Sequence, residues 1–89
     1  MKAVVSVMGI DRAGIIAKVS GCLYNHGINI LDINQTIMQN IFTMVMLVEF
    51  KEGSAEYNSV MTELDALSKE IGVDIRMQHE DIFNSMHRI

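Results

Sequence analysis

Residues 9–14 read Gly-Ile-Asp-Arg-Ala-Gly and join a valine-rich stretch to the start of an amphipathic one. A plain strand-to-helix link requires one glycine and one capping side chain, whereas here a charged pair stands between two glycines. The free N–H groups of a helix's first turn, with the positive end of its dipole, attract a carboxylate or a phosphate. Gly9 and Gly14 allow a sharp turn and the close approach of a ligand to the backbone. Asp11 suits either a helix N-cap or a partner for a ligand ammonium, and Arg12 either a solvated charge or a contact to an anion. Both readings of the loop, a capped turn and a ligand loop, stand at this point.

A second polar set, Asn29, Asp32, Asn34 and Gln35, interrupts the otherwise apolar run at 28–39. Asn and Asp are poor strand formers, so these side chains either blunt a sheet edge or line a cleft with the 9–14 loop of the same chain or of a partner subunit. The tail gathers His79, Glu80, Asp81 and His87, four side chains able to ligate a metal, but in no familiar ligand spacing. No metal and no cofactor is expected. Ser6, Ser20 and Cys22 fall on strand or helix faces without a histidine placed by the sequence to act as base, so no catalytic residue is expected.

The elements that must position these groups follow from periodicity. Residues 2–8 are a strand bounded by Gly9, and Ile15, Ile16, Val19, Cys22 and Leu23 mark one face of a helix that stops at Gly27. His26 reads as a helix-end residue. Residues 28–39 and 41–52 form two long strand patterns with a break near Asn40, a hairpin. In the second, Phe42, Met44, Met46, Val48 and Phe50 alternate with Ile41, Thr43, Val45 and Leu47, so both faces are expected to be covered. Tyr57, Val60, Met61, Leu64, Leu67, Ser68 and Ile71 then make a helical stripe, with Ser54 the expected cap and Gly72 the stop. Val73, Ile75 and Met77 alternate with polar residues as a half-exposed strand.

The order β-α-β-β-α-β predicts an α+β ferredoxin-like fold: a four-stranded antiparallel sheet with two helices on one face. Residues 1–79 form the domain and 80–89 a short C-terminal tail, read as a helix with Ile82, Phe83 and Met86 on its apolar side. Val45, Leu47 and their neighbours leave an apolar patch on the other sheet face, so a homodimer is expected. At 89 residues the chain is one domain. A net charge of −4 gives no attraction to phosphate backbones, so no nucleic acid is expected as partner. No apolar run is long enough to span a membrane, and none is expected as partner. Cys22, alone, makes neither an internal disulfide nor a CxxC metal pair, and the cytoplasm is the expected location.

The stretch GIDRAGIIAKVSGCLYNHGINILDINQTIM, followed by FTMVMLVEF, resembles an ACT domain. The whole chain, including RMQHEDIFNSMHRI, is similar to the stand-alone single-ACT proteins of the UPF0237 family. The resemblance implies a regulatory or sensor module that binds a small molecule, first of all an amino acid, at a subunit interface. It implies ligand contacts at Gly9, Ile10, Asp11, Arg12, Ala13 and Gly14 through main-chain amides, with Asn29, Ile30 and Asp32 opposite. With no fused enzyme or DNA-binding domain in this sequence, the output of such a module passes through an unidentified protein partner. A ligand-free assembly module and a small acylphosphatase-like hydrolase, with Arg12 and Asn29 or Asn34 as its pair, are the alternatives.

Overall fold

A computed structural model describes residues 1–51 and 57–80. The elements run β1 (Lys2–Ile10), α1 (Ile15–Asn25), β2 (Asn29–Met38), β3 (Ile41–Glu49), α2 (Tyr57–Ile71) and β4 (Val73–His79). The strands form one sheet in the order β2-β3-β1-β4, every pair antiparallel. The expected ferredoxin-like topology is the one observed. Ser54 and the tail residues 81–89, with their expected cap and helix, lie outside the described residues.

Alternation decides which side of the sheet is buried. Ala3, Val5 and Val7 of β1, Phe42, Met44, Met46 and Val48 of β3, and Val73, Ile75 and Met77 of β4 all point at the helices and are buried. They meet Ile15, Val19, Cys22 and Leu23 of α1 and Val60, Leu64 and Ile71 of α2 in a single core. Among the described residues the expected cover on both faces of β3 is not found. On the side away from the helices Met8, Ile10, Ile41 and Val45 are exposed, because two helices on one face leave the other bare.

The ends of α1 show how the sequence sets its length. At the C-terminus the Ile28 amide donates to the Leu23 carbonyl at 3.0 Å and the Gly27 amide to the Tyr24 carbonyl at 2.9 Å. That is a Schellman motif, with Gly27 at φ 71° in the left-handed position and Ile28 packed in the core with Leu23. The hairpin turn at Gln39 and Asn40 joins β2 to β3, with Gln39 at φ 58°.

Gly9 answers to a packing constraint. A Cβ on it would lie 2.7 Å from Val73 Cγ1 and 3.1 Å from Val73 Cα, so the glycine lets β4 start against β1. Gly21, in the middle of α1, has open space where its Cβ would stand. We therefore expect Gly9→Ala to cost about 1–3 kcal/mol by overpacking, and Gly21→Ala to add roughly 0.5–1 kcal/mol through helix propensity. Urea unfolding of both variants beside the wild type reads the two signs. A neutral Gly9→Ala would contradict the packing role.

Candidate functional site

The turn between β1 and α1 is tied to its surroundings by backbone and side chain alike. Gly9 and Ile10 are strand residues, paired in register with Phe42 and Ile41. The Asp11 amide donates to the Asn40 carbonyl at 2.7 Å, which fastens the loop to the hairpin turn. Asp11 does not cap α1. The N-cap is Gly14, in the left-handed region at φ 89°, and no side-chain hydrogen bond caps it. Gly14 is there because an L side chain is strained at that φ, and its carbonyl accepts the first helical bond, from the Lys18 amide at 2.9 Å.

Arg12 is exposed but not free. Its Nη1 donates to the Ile71 carbonyl at 2.6 Å, meeting one of the carbonyls that the end of α2 leaves without a helical partner. The guanidinium thus links the β1–α1 loop to the far end of α2. The loop flanks a groove of about 440 Å³ lined by Asp11, Arg12, Gly14, Ile15, Ile16, Gln35 and Ile37 among others, where the uncapped first turn of α1 faces the edge strand β2.

Gln35 of the second polar set reaches this groove, whereas Asn29 and Asp32 lie elsewhere. Asn29 pairs with Glu49, whereas the loop adjoins Ile41, so the start of β2 and the 9–14 loop are separated by most of the length of β3, about 27 Å at strand rise. One chain does not bring Asn29 and the loop together. Asn29 and Ile30 line a different groove, with Ala17, Gly21 and Tyr24 of α1. Asp32 follows a register shift between Ile30 and Asp32, and its Oδ1 accepts the Ile33 amide at 2.8 Å. That local bond explains an aspartate inside a strand. Asp32 pairs with Leu47, and Ile10 with Ile41, so both belong to the face turned away from the helices.

A third cluster joins the two helices. Cys22 Sγ donates to Glu63 Oε2 at 3.3 Å, and His26 Nε2 lies 2.9 Å from the same oxygen. The bonds from His26 and Cys22 hold the Glu63 carboxyl below its ordinary value of 4.5. Burial, reinforced by Glu63, pushes the Cys22 thiol up to about 12, so it is not a thiolate nucleophile.

The ACT domain family model matches residues 2–78 of this chain. The chain belongs to the ACT domain family. A UPF0237 protein from Clostridium acetobutylicum is 52% identical over 89 residues, covering 100% of both chains. Among solved structures, an ACT domain protein from Streptococcus pneumoniae is 36% identical with a TM-score of 0.81, over 93% of each chain. The ligand-free regulatory subunit of aspartate kinase from Thermus thermophilus is 27% identical with a TM-score of 0.67, over 86% of this chain and 49% of that one.

In this ACT domain Gln35, one of the second polar set, lines the loop groove together with Ile16 and Ile37, which nothing in the sequence marked as groove residues. Nor did the sequence mark the meeting of Cys22 and His26 with Glu63. Cys22 and His26 stand four apart on a helix, a spacing that places them on one side, but nothing in the sequence locates Glu63 opposite them. The new roles of Asp11 and Arg12 separate by mutation. Arg12→Met should cost about 1–3 kcal/mol by leaving the end of α2 without its charged donor, while Asp11→Ala should stay within about 0.5 kcal/mol. If Asp11 were the cap, urea unfolding would show the reverse order.

Proposed function

We propose that this ACT domain is a small-molecule sensor that works as a homodimer, with an amino acid as the first ligand class and the ligand held between two copies. The observation that carries the reading is the edge of β2 beside the loop groove, which pairs with no further strand among the described residues. Two-fold antiparallel pairing of β2 with a second β2 sets Asn29 and Ile30 of one copy near Met38 of the other. From Asn29 and Ile30 the partner's 9–14 loop, which continues β1, is then three strand spacings away, about 14 Å. Such pairing halves the separation between the start of β2 and a 9–14 loop, and turns Asn29 and Ile30 toward the end of the sheet where Gln35 lines the groove. A ligand carboxylate lies at the uncapped first turn of α1, near Arg12, Ala13 and Gly14, where the amides and helix dipole favour negative charge. Its ammonium lies near the carboxylate of Asp11.

The mechanism is linkage: a ligand that favours one arrangement of the two copies changes their affinity for a further protein partner. The role is regulatory rather than catalytic, in the cytoplasm. The regulatory subunit of aspartate kinase, similar in fold, supports a regulatory reading. Arg12 weighs against acylphosphatase-like chemistry, because its guanidinium already serves the Ile71 carbonyl. A ligand-free assembly module remains the second reading, favoured by the exposed apolar strip of Met8, Ile10, Ile41 and Val45.

A thermal-shift panel of the amino acids on the purified chain tests the sensor. A ligand at 100 times its dissociation constant stabilises by about 2.7 kcal/mol, which a domain of this size shows as a rise of several degrees. Asn29→Ala and Gln35→Ala should each abolish that rise while leaving the unliganded melting temperature nearly unchanged. A folded dimer that responds to no amino acid favours the assembly module.

A further inference from the structure

Cys22, His26 and Glu63 serve neither the loop groove nor the β2 edge, and they bring three kinds of metal ligand to one point. Cys22 projects from the last turns of α1 and His26 from its C-cap, and Glu63 faces them from α2. One ligand atom from each, Sγ, a ring nitrogen and a carboxylate oxygen, lies within 4.8 Å of the other two. A tetrahedral ion with its sulfur at about 2.3 Å and its nitrogen and oxygen at about 2.0–2.1 Å holds such atoms roughly 3.3–3.6 Å apart. The observed 3.3 Å from Sγ to Oε2 and 2.9 Å from Nε2 to Oε2 require small outward shifts, while Sγ and the ring nitrogen, within 4.8 Å of each other, close by up to roughly 1.3 Å through side-chain rotation.

We propose that Cys22, His26 and Glu63 form a three-ligand site for a divalent transition metal of zinc type, clamping α1 to α2 with one coordination position open. Thiolate, imidazole and carboxylate together suit zinc or cobalt and not the all-oxygen preference of magnesium or calcium. One thiolate and one carboxylate neutralise a divalent charge. The ion enters from solvent, since Glu63 is 56% exposed and Cys22 and Glu63 line a groove of about 370 Å³ with Lys18, Asn25 and Glu70. Lys18 and Glu70 pair with each other there at 3.1 Å, which keeps the lysine's charge partly offset beside the incoming cation.

Without a metal the cluster is satisfied by its own hydrogen bonds, the thiol proton resting against Glu63. Binding breaks the S–H bond, the proton leaves to solvent and the sulfur's electron pair goes to the metal, while the imidazole proton passes through water from Nε2 to Nδ1 so that Nε2 offers its lone pair; no oxidant or reductant takes part. The ion then replaces two hydrogen bonds with three metal bonds across the helix pair. Ala17 and Gly21 border both this groove and the one against β2, so the metal fixes the helix that also forms the wall of the β2 groove.

The test uses the full chain with its thiol reduced and cobalt(II) as the probe. One cobalt per chain should give the intense visible bands of a tetrahedral site and a near-ultraviolet thiolate-to-cobalt band, both removed by equimolar zinc. Zinc binding should release about one proton per chain at pH 8 and raise the melting temperature. Cys22→Ser should abolish the near-ultraviolet band, and Glu63→Gln, a change at an exposed side chain, should weaken zinc binding at least about tenfold. The site is disproved if saturating cobalt gives no thiolate band. It is equally disproved if zinc affinity is unchanged in Cys22→Ser and Glu63→Gln but lost in a His79→Ala, His87→Ala double variant, which would assign the metal to the tail.

Discussion

Two helices cannot cover four strands. In this chain α1 and α2 pack over β1, β3 and β4, and the helix side of β2 extends past their cover, leaving Ile33 and Ile37 at 44% and 50% exposure. The outer edge of the same strand bonds to no other strand among the described residues. Soluble proteins blunt such edges with lysine, proline or an inward charge. Over residues 29–38 this one carries a single charge, Asp32, and neither lysine nor proline. An unblunted edge beside apolar side chains is a surface for a strand of matching pattern, which in the proposed dimer is a second copy of β2.

That constraint gives the 9–14 loop its place. The loop stands at the end of the sheet where the free edge of β2 finishes, and it is fastened on two sides. Its Asp11 amide is held by the hairpin turn and its Arg12 by the last carbonyl of α2. A ligand seated at the first turn of α1 therefore bears on groups that anchor β1, the β2–β3 turn and α2 together. This is a physical route from a small molecule to the arrangement of the whole domain, and it needs no moving lid. The Cys22–His26–Glu63 cluster, on the opposite flank of α1, joins the same two helices farther along.

Most of the fold was legible in the sequence because its signals are local. The two-residue period of β3 and β4, the helical stripes of α1 and α2, and the stops at Gly27 and Gly72 each depend on near neighbours in the chain. Ile16 and Met61 were read into the helix stripes, yet both are exposed, because the width of a buried stripe is set by what packs on it and not by the helix. The roles within the loop were less legible for the same reason. An aspartate before a helix looks like a cap, but the cap position falls three residues later, at Gly14, once Asp11 is bound to Asn40. Arg12 finds its acceptor 59 residues away in sequence, and Cys22 meets Glu63 across 41. No periodicity carries information over such separations.

The central claim is that β2 edges pair to complete the ligand groove, and the mass of the protein in solution tests it most directly. Sedimentation equilibrium should give the wild type twice the 10.0 kDa of one chain. An Ile33→Glu, Ile37→Glu double variant should stay folded and fall to a single chain, while Val45→Lys, on the bare face of the sheet, should leave the dimer intact. A monomeric wild type, or a dimer broken by Val45→Lys and untouched by the β2 substitutions, would contradict the account.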